Sequence, residues 1–124
     1  MNITEHNLLL VEDEPISRRA LKKLLASSGY EVTATKSGED ALLTLENNEE
    51  VEAAVVDLEL PGMNGAELIR QMEKGRPNVC TVLISAQSRE SLRALGVSDN
   101  FPFLQKPIEF AKLLDLLAHY PKRA

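Results

Sequence analysis

The sequence predicts an α/β fold, a doubly wound parallel sheet of five strands with flanking helices on both faces. Short apolar runs alternate along the chain with longer stretches in which leucines recur at helical spacing. Residues that favour turns and helix caps separate these segments, and no linker, repeat or low-complexity stretch interrupts them. Five successive strand–helix units imply parallel strands with right-handed crossovers, because each helix returns the chain to the same end of the sheet.

The first two units begin with strands predicted at residues 8–11 and 31–35. Pro15 suits the first turn of the first helix, where its missing N–H costs nothing, and Gly29 is typical of a helix end. Ser37 is expected to cap the second helix. The stripe expected to face the core from the first helix consists of Ala20, Leu21, Leu24 and Leu25.

The third and fourth strands are predicted at residues 52–57 and 79–85. Asn64, with an acid three residues later, predicts the start of the third helix, and Ser88 predicts a fourth helix to about Leu95. Residues 101–105 predict the fifth strand. Because Pro102 has no N–H to donate, this strand is expected to lie at the edge of the sheet or to start late. The last helix carries its apolar residues at helical spacing, namely Phe110, Leu113, Leu114 and Leu117.

Composition favours one acidic, water-soluble domain over residues 1–124. The net charge of −5 argues against nonspecific binding to nucleic acid or to an anionic membrane. Cys80 lies in an apolar run and is expected to be a buried packing residue. Since the sequence has neither a leader-like start nor a long apolar segment, we expect a cytoplasmic protein.

Polar residues follow or close four of the predicted strands. They are Glu12 and Asp13, Asp57, Ser85 and Lys106. Carboxylates gathered at one sheet edge repel one another, and oxygen ligands without His or Cys favour a hard cation such as Mg²⁺. A carboxylate beside Mg²⁺ can attack phosphorus, while a lysine and a hydroxyl stabilise the phosphoryl oxygens. Each residue alone has an ordinary interpretation as a loop acid, turn hydroxyl or surface charge, but their joint placement favours one site.

Four motifs together resemble those of the receiver domain of two-component response regulators (CheY-like), over essentially the whole chain. They lie at residues 9–15, 55–65, 83–87 and 103–107. The resemblance implies a flavodoxin-like (βα)5 fold and a phosphoacceptor at Asp57. It implies that Asp13 binds Mg²⁺ directly, with Mn²⁺ as an alternative, that Glu12 acts through water, and that Asp57 and the backbone carbonyl of Glu59 complete the metal site.

The resemblance also implies how phosphorylation is sensed. Ser85 matches the switch hydroxyl, Lys106 the lysine that contacts the phosphoryl group, and Phe103 the rotating aromatic. The bond between Lys106 and Pro107 is expected to be cis. Movement of Ser85 and Phe103 would change the face formed by the fourth helix, fifth strand and fifth helix.

The function implied by the resemblance is a phosphorylatable switch that catalyses only its own phosphorylation and dephosphorylation. The phosphoryl donor would be a histidine kinase or a histidine phosphotransfer protein, and an unknown downstream protein or output domain would respond. A phosphorylation-independent module with the same fold is the alternative. A Mg²⁺-dependent phosphohydrolase fits less well, because Glu59 and Pro61 differ from its pattern. A stand-alone receiver and a receiver within a larger regulator or hybrid kinase are both compatible with the sequence.

Three departures from the family pattern leave alternatives open. Phe103 replaces the commoner tyrosine, and residues 96–102 predict a shortened or irregular fourth helix. Phe101 has two interpretations, core packing or an exposed partner anchor. The Glu59 side chain either influences hydrolysis or metal affinity or points to solvent. The basic residues of the first helix form either a solvated face or a kinase-docking face; they are Arg18, Arg19, Lys22 and Lys23.

Overall fold

Ten elements alternate between strand and helix in the computed structural model, which describes residues 6–119. The strands are β1 (His6–Val11), β2 (Tyr30–Thr35), β3 (Ala53–Asp57), β4 (Cys80–Ser85) and β5 (Phe103–Gln105). The helices are α1 (Pro15–Ser27), α2 (Gly38–Asn47), α3 (Gly65–Gly75), α4 (Arg89–Ala94) and α5 (Phe110–His119). The predicted succession of five strand–helix units is confirmed.

The five strands form one parallel sheet in the order β2-β1-β3-β4-β5. The strand order reverses between β1 and β3, and this is where ligands bind in open α/β sheets. The register pairs Val11 with Val56 and Asp57 with Ile84, so the C-terminal ends of the three central strands are nearly level. The sheet therefore directs the residues that end these strands towards one location.

Each face of the sheet has its own hydrophobic core, because successive strand residues point to opposite faces. Leu9 and Val11 of β1 join the cluster that packs against α2, α3 and α4. Leu8 and Leu10 join the cluster that packs against α1 and α5. Burial on both faces explains the continuous apolar runs in the sequence, and the predicted doubly wound fold is confirmed. Cys80 is buried, as predicted.

Local capping signals were reliable guides to where the helices begin. The side chains of Ser37, Asn64 and Ser88 each accept a hydrogen bond from the backbone N–H three residues later, at 3.1, 2.8 and 3.1 Å. Gly29 ends α1 with a φ of 102°, a conformation that favours glycine. No helix within residues 6–119 is long and apolar enough to span a membrane.

The predicted apolar stripe of α1 is wrong for half of its members. Leu25 is fully buried and Leu21 is half-buried against the sheet. Ala20 and Leu24 are exposed, Leu24 to 46%. Of these four residues, Leu21 and Leu25, which lie about one helical turn apart, pack against the sheet. The residues next to them on the helix surface face solvent.

The segment between α4 and β5 is irregular, as predicted. Helix α4 has only six residues, and β5 begins at Phe103 rather than at residue 101. Phe101 is 5% exposed and belongs to the core cluster beneath α2, α3 and α4, so the packing interpretation is confirmed. The carbonyl of Pro102 accepts a hydrogen bond from the N–H of Leu83 at 2.9 Å, although proline has no N–H to donate in return.

Candidate functional site

The carboxyl edge of the sheet brings four of the five predicted side chains together. Glu12, Asp57 and Ser85 lie at the ends of the three central strands, with exposed fractions of 3%, 2% and 0%. Lys106 follows β5 and is part-exposed, and its Nζ lies 2.5 Å from Oδ2 of Asp57. A buried carboxylate, a hydroxyl and a cation therefore share one pocket that opens to solvent beside Lys106.

Both carboxylate oxygens of Asp57 have defined partners. Oδ1 accepts a hydrogen bond from the backbone N–H of Glu59 at 2.9 Å. Oδ2 forms the ion pair with Lys106. These contacts hold the carboxylate in one orientation at the mouth of the sheet, as a nucleophile requires.

Glu12 is buried beside Asp57, and its chemistry is altered accordingly. Burial raises the pKa of the Glu12 carboxyl to about 7, and the nearby Asp57 contributes to the increase. Two other groups lower this pKa. The backbone N–H of Glu14 donates a hydrogen bond to Glu12 Oε2 at 3.1 Å, and Lys106 contributes its positive charge. A carboxyl with this pKa is poised to bind a cation, because a positive charge would favour its ionised form.

Asp13 follows Glu12 in the loop after β1, and its place in a metal site stays a prediction. Its side chain is exposed, and no three His, Cys, Asp or Glu side chains among residues 6–119 are arranged to hold a metal ion. Among the described residues, Lys106 is the cation that pairs with Asp57. The donor set nevertheless fits Mg²⁺, which needs only one or two carboxylates because it keeps several waters.

Arg18 has a role that the sequence did not reveal. Its Nη1 donates to the backbone carbonyls of Glu12 and Asp13, each at 3.0 Å. The guanidinium therefore ties the loop after β1 to α1, and Arg18 is not simply part of a solvated basic face. Only its spacing after the acidic pair could have suggested this contact.

The Glu59 side chain lies in the site rather than pointing to solvent, and its influence on hydrolysis or metal affinity stays a prediction. Its carboxylate accepts a hydrogen bond from the Ser85 hydroxyl and another from the N–H of Ala86, the latter at 2.9 Å. Oε1 also lies 3.9 Å from Nζ of Lys106. The Ser85 hydroxyl in turn accepts from the N–H of Gln87 at 3.0 Å.

Lys106 is held at both ends. Its backbone N–H donates to the carbonyl of Ser85 at 2.8 Å, and the Lys106–Pro107 bond is cis, as the resemblance implied. Burial lowers the pKa of Lys106, but Asp57, Glu12 and Glu59 outweigh that effect and raise the pKa above its ordinary value. The ammonium therefore stays charged throughout the neutral range.

Phe103 lies half-buried on the side of the sheet covered by α4. The guanidinium carbon of Arg89 is 5.1 Å from the centre of its ring, a cation–π distance. Arg89 also donates to the carbonyl of Phe101 at 3.0 Å and lies 3.9 Å from Asp99. Arg89 thus joins α4 to the start of β5, and the sequence pattern did not identify it.

Comparison with known proteins agrees with this geometry. The family model of the response regulator receiver domain matches residues 8–118. The chain belongs to this family. Receiver domains are signalling switches of two-component phosphorelays and not classical enzymes, and this chain has that role.

Two curated relatives from Escherichia coli (strain K12) illustrate the match. The chain is 37% identical to the sensor protein TorS over 114 residues, which cover 91% of this chain and 12% of the relative. It is 30% identical over 110 residues to the TorCAD operon transcriptional regulatory protein TorR, covering 88% and 47% respectively. This receiver therefore spans less than half the length of these curated relatives.

Solved receiver structures have the same fold. The receiver domain of sensor histidine kinase PA1611 from Pseudomonas aeruginosa, with magnesium in its active-site cleft, has a TM-score of 0.84 and 26% identity, covering 94% of this chain and 98% of that chain. The response regulator TrrA from Thermotoga maritima, in complex with Mg²⁺-BeF, has a TM-score of 0.79 and 27% identity, with coverage of 91% and 96%.

Proposed function

We propose that residues 1–124 form one cytoplasmic receiver domain that is phosphorylated on Asp57 by a histidine kinase or a histidine phosphotransfer protein. The observation that carries the proposal is the setting of Asp57. Its carboxylate is 2% exposed, oriented by the N–H of Glu59 and paired with Lys106 at 2.5 Å. A single strand-end carboxylate therefore combines orientation with an adjacent cation.

These positions suit phosphoryl transfer to Asp57. A carboxylate oxygen attacks the phosphorus of a phosphohistidine, the new O–P bond forms as the P–N bond breaks, and the imidazole leaves with the electron pair. Lys106 and the Ser85 hydroxyl are close enough to donate to the phosphoryl oxygens, with the N–H of Ala86 beside them. Attack of water on the phosphorus of the acyl phosphate later regenerates Asp57, so the domain acts only on itself.

The metal is proposed to be Mg²⁺, with Mn²⁺ as a substitute. Asp13, Asp57 and the backbone carbonyl of Glu59 would hold it, with Glu12 acting through a bound water. When bound, the ion supplies positive charge to the phosphoryl oxygens. Support comes from the raised pKa of Glu12 and from an oxygen-only donor set. Lys106 would add a second positive charge beside Asp57.

The response to phosphorylation is proposed to pass through Ser85 and Phe103. Ser85 turns to the phosphoryl oxygens, and Phe103 moves inward into the space that becomes available. The Arg89 contact with the Phe103 ring links this movement to α4. The face formed by α4, β5 and α5 would therefore change shape, and an unidentified downstream protein or output domain would bind to it.

The phosphoryl donor is proposed to dock beside α1. A groove of about 490 Å³ runs between α1 and the loop after β5, and both Glu12 and Lys106 line it. Ile16 and Leu24 stand exposed on α1, at 74% and 46%. An apolar surface that opens directly onto the acceptor site suits a donor protein that must present a histidine to Asp57.

Acetyl phosphate with Mg²⁺ tests the acceptor directly by intact-protein mass spectrometry. We expect the mass of one phosphoryl group on the wild type and none on Asp57→Asn, because the amide is not a nucleophile at this site. Asp115→Asn, which changes an exposed acid of α5, is the matched control and should be labelled like the wild type. Equal labelling of the Asp57→Asn variant would overturn the assignment of the acceptor.

A further inference from the structure

The Glu59 carboxylate occupies the donor groups that the proposed phosphoryl group needs. It accepts hydrogen bonds from the Ser85 hydroxyl and from the N–H of Ala86 at 2.9 Å. The same Oε1 lies 3.9 Å from Lys106 Nζ, which is 2.5 Å from Asp57. A hydroxyl, a backbone N–H and an ammonium thus surround an anion that the chain itself supplies.

A carboxylate and a phosphoryl group can accept hydrogen bonds from the same donors. Both are anionic acceptors that form charge-assisted hydrogen bonds, which are stronger than neutral ones. Since each N–H or O–H donates one strong hydrogen bond, the two anions cannot both be fully satisfied by Ser85 and Ala86. Their negative charges would also repel each other across a part-buried pocket.

We propose that Glu59 is an internal competitor for the phosphoryl-oxygen donors of this receiver. This inference rests on the proposed phosphorylation of Asp57. In the unphosphorylated domain the carboxylate holds the Ser85 hydroxyl and the Ala86 N–H, and it must leave them before a phosphoryl group on Asp57 can be bound. Glu59 is therefore a positioning residue that weakens phosphoryl binding, through contacts to the donors rather than through the chemistry itself.

The side chain has room to leave. Its exposed fraction is 37%, so the carboxylate reaches the site from the solvent side and is not locked in the core. The backbone N–H of Glu59 continues to orient Asp57, since that contact does not involve the side chain. Displacement of the carboxylate therefore costs the donor contacts but leaves the acceptor in place.

Beryllofluoride binding at saturating Mg²⁺ measures this competition, because the anion imitates the phosphoryl group without a chemical step. We expect Glu59→Ala to bind beryllofluoride at least about tenfold more tightly than the wild type, since no anion then occupies the donors. Glu59→Gln should lie between the two, because the amide oxygen can still accept from Ser85 but carries no charge. Isothermal titration calorimetry gives the affinities.

Glu31→Gln is the matched control for the loss of one negative charge. Glu31 is exposed on β2 beside Asn7, near the amino end of the sheet, far from Asp57. The control should bind beryllofluoride like the wild type. Equal or weaker binding by both Glu59 variants than by the wild type would overturn the proposal.

The amide of Ala86 gives a second measurement that does not depend on phosphorylation chemistry. In nuclear magnetic resonance spectra without beryllofluoride, its proton should move upfield in Glu59→Ala, because it loses a charged acceptor. Saturation with Mg²⁺ and beryllofluoride should then bring the Ala86 signals of wild type and variant close together. An Ala86 signal unaffected by Glu59→Ala would overturn the competing contact.

The outcomes separate this inference from the proposed function. If the wild type binds beryllofluoride and the Glu59 variants bind it with the same affinity, only the proposed competition is overturned. Binding by Glu59→Ala but not by the wild type supports both proposals, since the carboxylate then blocks the site completely. Failure of the wild type and of both variants to bind beryllofluoride or to be labelled by acetyl phosphate overturns the phosphorylation of Asp57 and, with it, the competition.

Discussion

Single residues at the carboxyl edge of the sheet derive their chemistry from neighbours that are distant in sequence. Glu12 is 3% exposed beside Asp57, and burial raises the pKa of its carboxyl to about 7. Lys106 stays charged because its contacts with Asp57, and to a lesser extent Glu59, raise its pKa. A carboxyl with a pKa near 7 and a fixed ammonium therefore lie beside Asp57, and this difference comes from the environment rather than from residue type.

The Glu12 carboxyl should make metal-free stability depend on pH. Between about pH 4.5 and 7 the unfolded chain has released the Glu12 proton, whereas the folded chain still holds it. The free energy of unfolding contributed by this group is therefore fully present below pH 4.5 and is lost as the pH rises to about 7. The free energy of unfolding of Glu12→Gln should therefore exceed that of the wild type by about 1–3 kcal/mol above pH 7. The two values should be equal at the acidic end of the range.

Urea unfolding in a chelating buffer across this pH range measures the difference. Glu46→Gln, at an exposed position of α2, is the control and should follow the pH profile of the wild type. Parallel profiles for Glu12→Gln and the wild type would show that the pKa of Glu12 is the same in the folded and unfolded chains.

At the scale of the elements, the start of α3 is what positions the loop after Asp57. A Cβ atom at Gly65 would lie 2.7 Å from Leu58 Cα and 2.8 Å from the Leu58 carbonyl oxygen. Backbone atoms cannot move aside as a flexible side chain can. The helix therefore approaches Leu58, the residue after Asp57, so closely that only glycine fits at position 65.

Two alanine substitutions in the same helix should consequently have opposite effects. Gly65→Ala should lower the free energy of unfolding by about 1–3 kcal/mol, because the new methyl group overpacks against Leu58. Gly75→Ala, where a Cβ would have no neighbour within 4 Å, should raise it by about 0.5–1 kcal/mol. Urea unfolding of the two variants provides the test, and destabilisation of equal size would indicate a general cost of alanine in α3.

At the scale of the whole molecule, we propose separate tasks for two surfaces, namely docking of the phosphoryl donor and response to phosphorylation. The groove beside α1 is lined by Glu12 and Lys106 of the site, whereas the α4–β5–α5 face lies at the β5 edge of the sheet. Delivery of the phosphoryl group and response to it can therefore occur on different surfaces. Helices α1 and α2 cover opposite faces of the sheet, which allows a matched comparison.

Leu24→Asp should slow phosphorylation by a phosphohistidine donor protein about tenfold or more, because a charge would enter the apolar docking surface. Phosphorylation by acetyl phosphate, which needs no docking, should be unchanged. Leu43→Asp, at a 55% exposed position of α2, is the control and should be labelled by both donors like the wild type. The donor is a phosphorylated phosphotransfer protein active on the wild type, with labelling followed by phosphate-affinity gels. Equal slowing with acetyl phosphate would place the effect in the site instead.

The sequence by itself determined the succession of strands and helices, the caps at Ser37, Asn64 and Ser88, and the residues that end the strands. These features depend on local periodicity and on hydrogen bonds between near neighbours, so they can be read along the chain. The convergence of Asp57, Ser85 and Lys106 was also predictable, because parallel strands share a carboxyl edge.

Only the tertiary structure decided where the loop side chains point and how wide each helix contact is. Ala20 and Leu24 proved exposed, and Asp13 faces solvent while Arg18 binds the loop. The Glu59 carboxylate lies among donors from β4 and from the loop after β5. Such directions depend on partners that folding brings from distant segments, and no short-range pattern in the sequence records them.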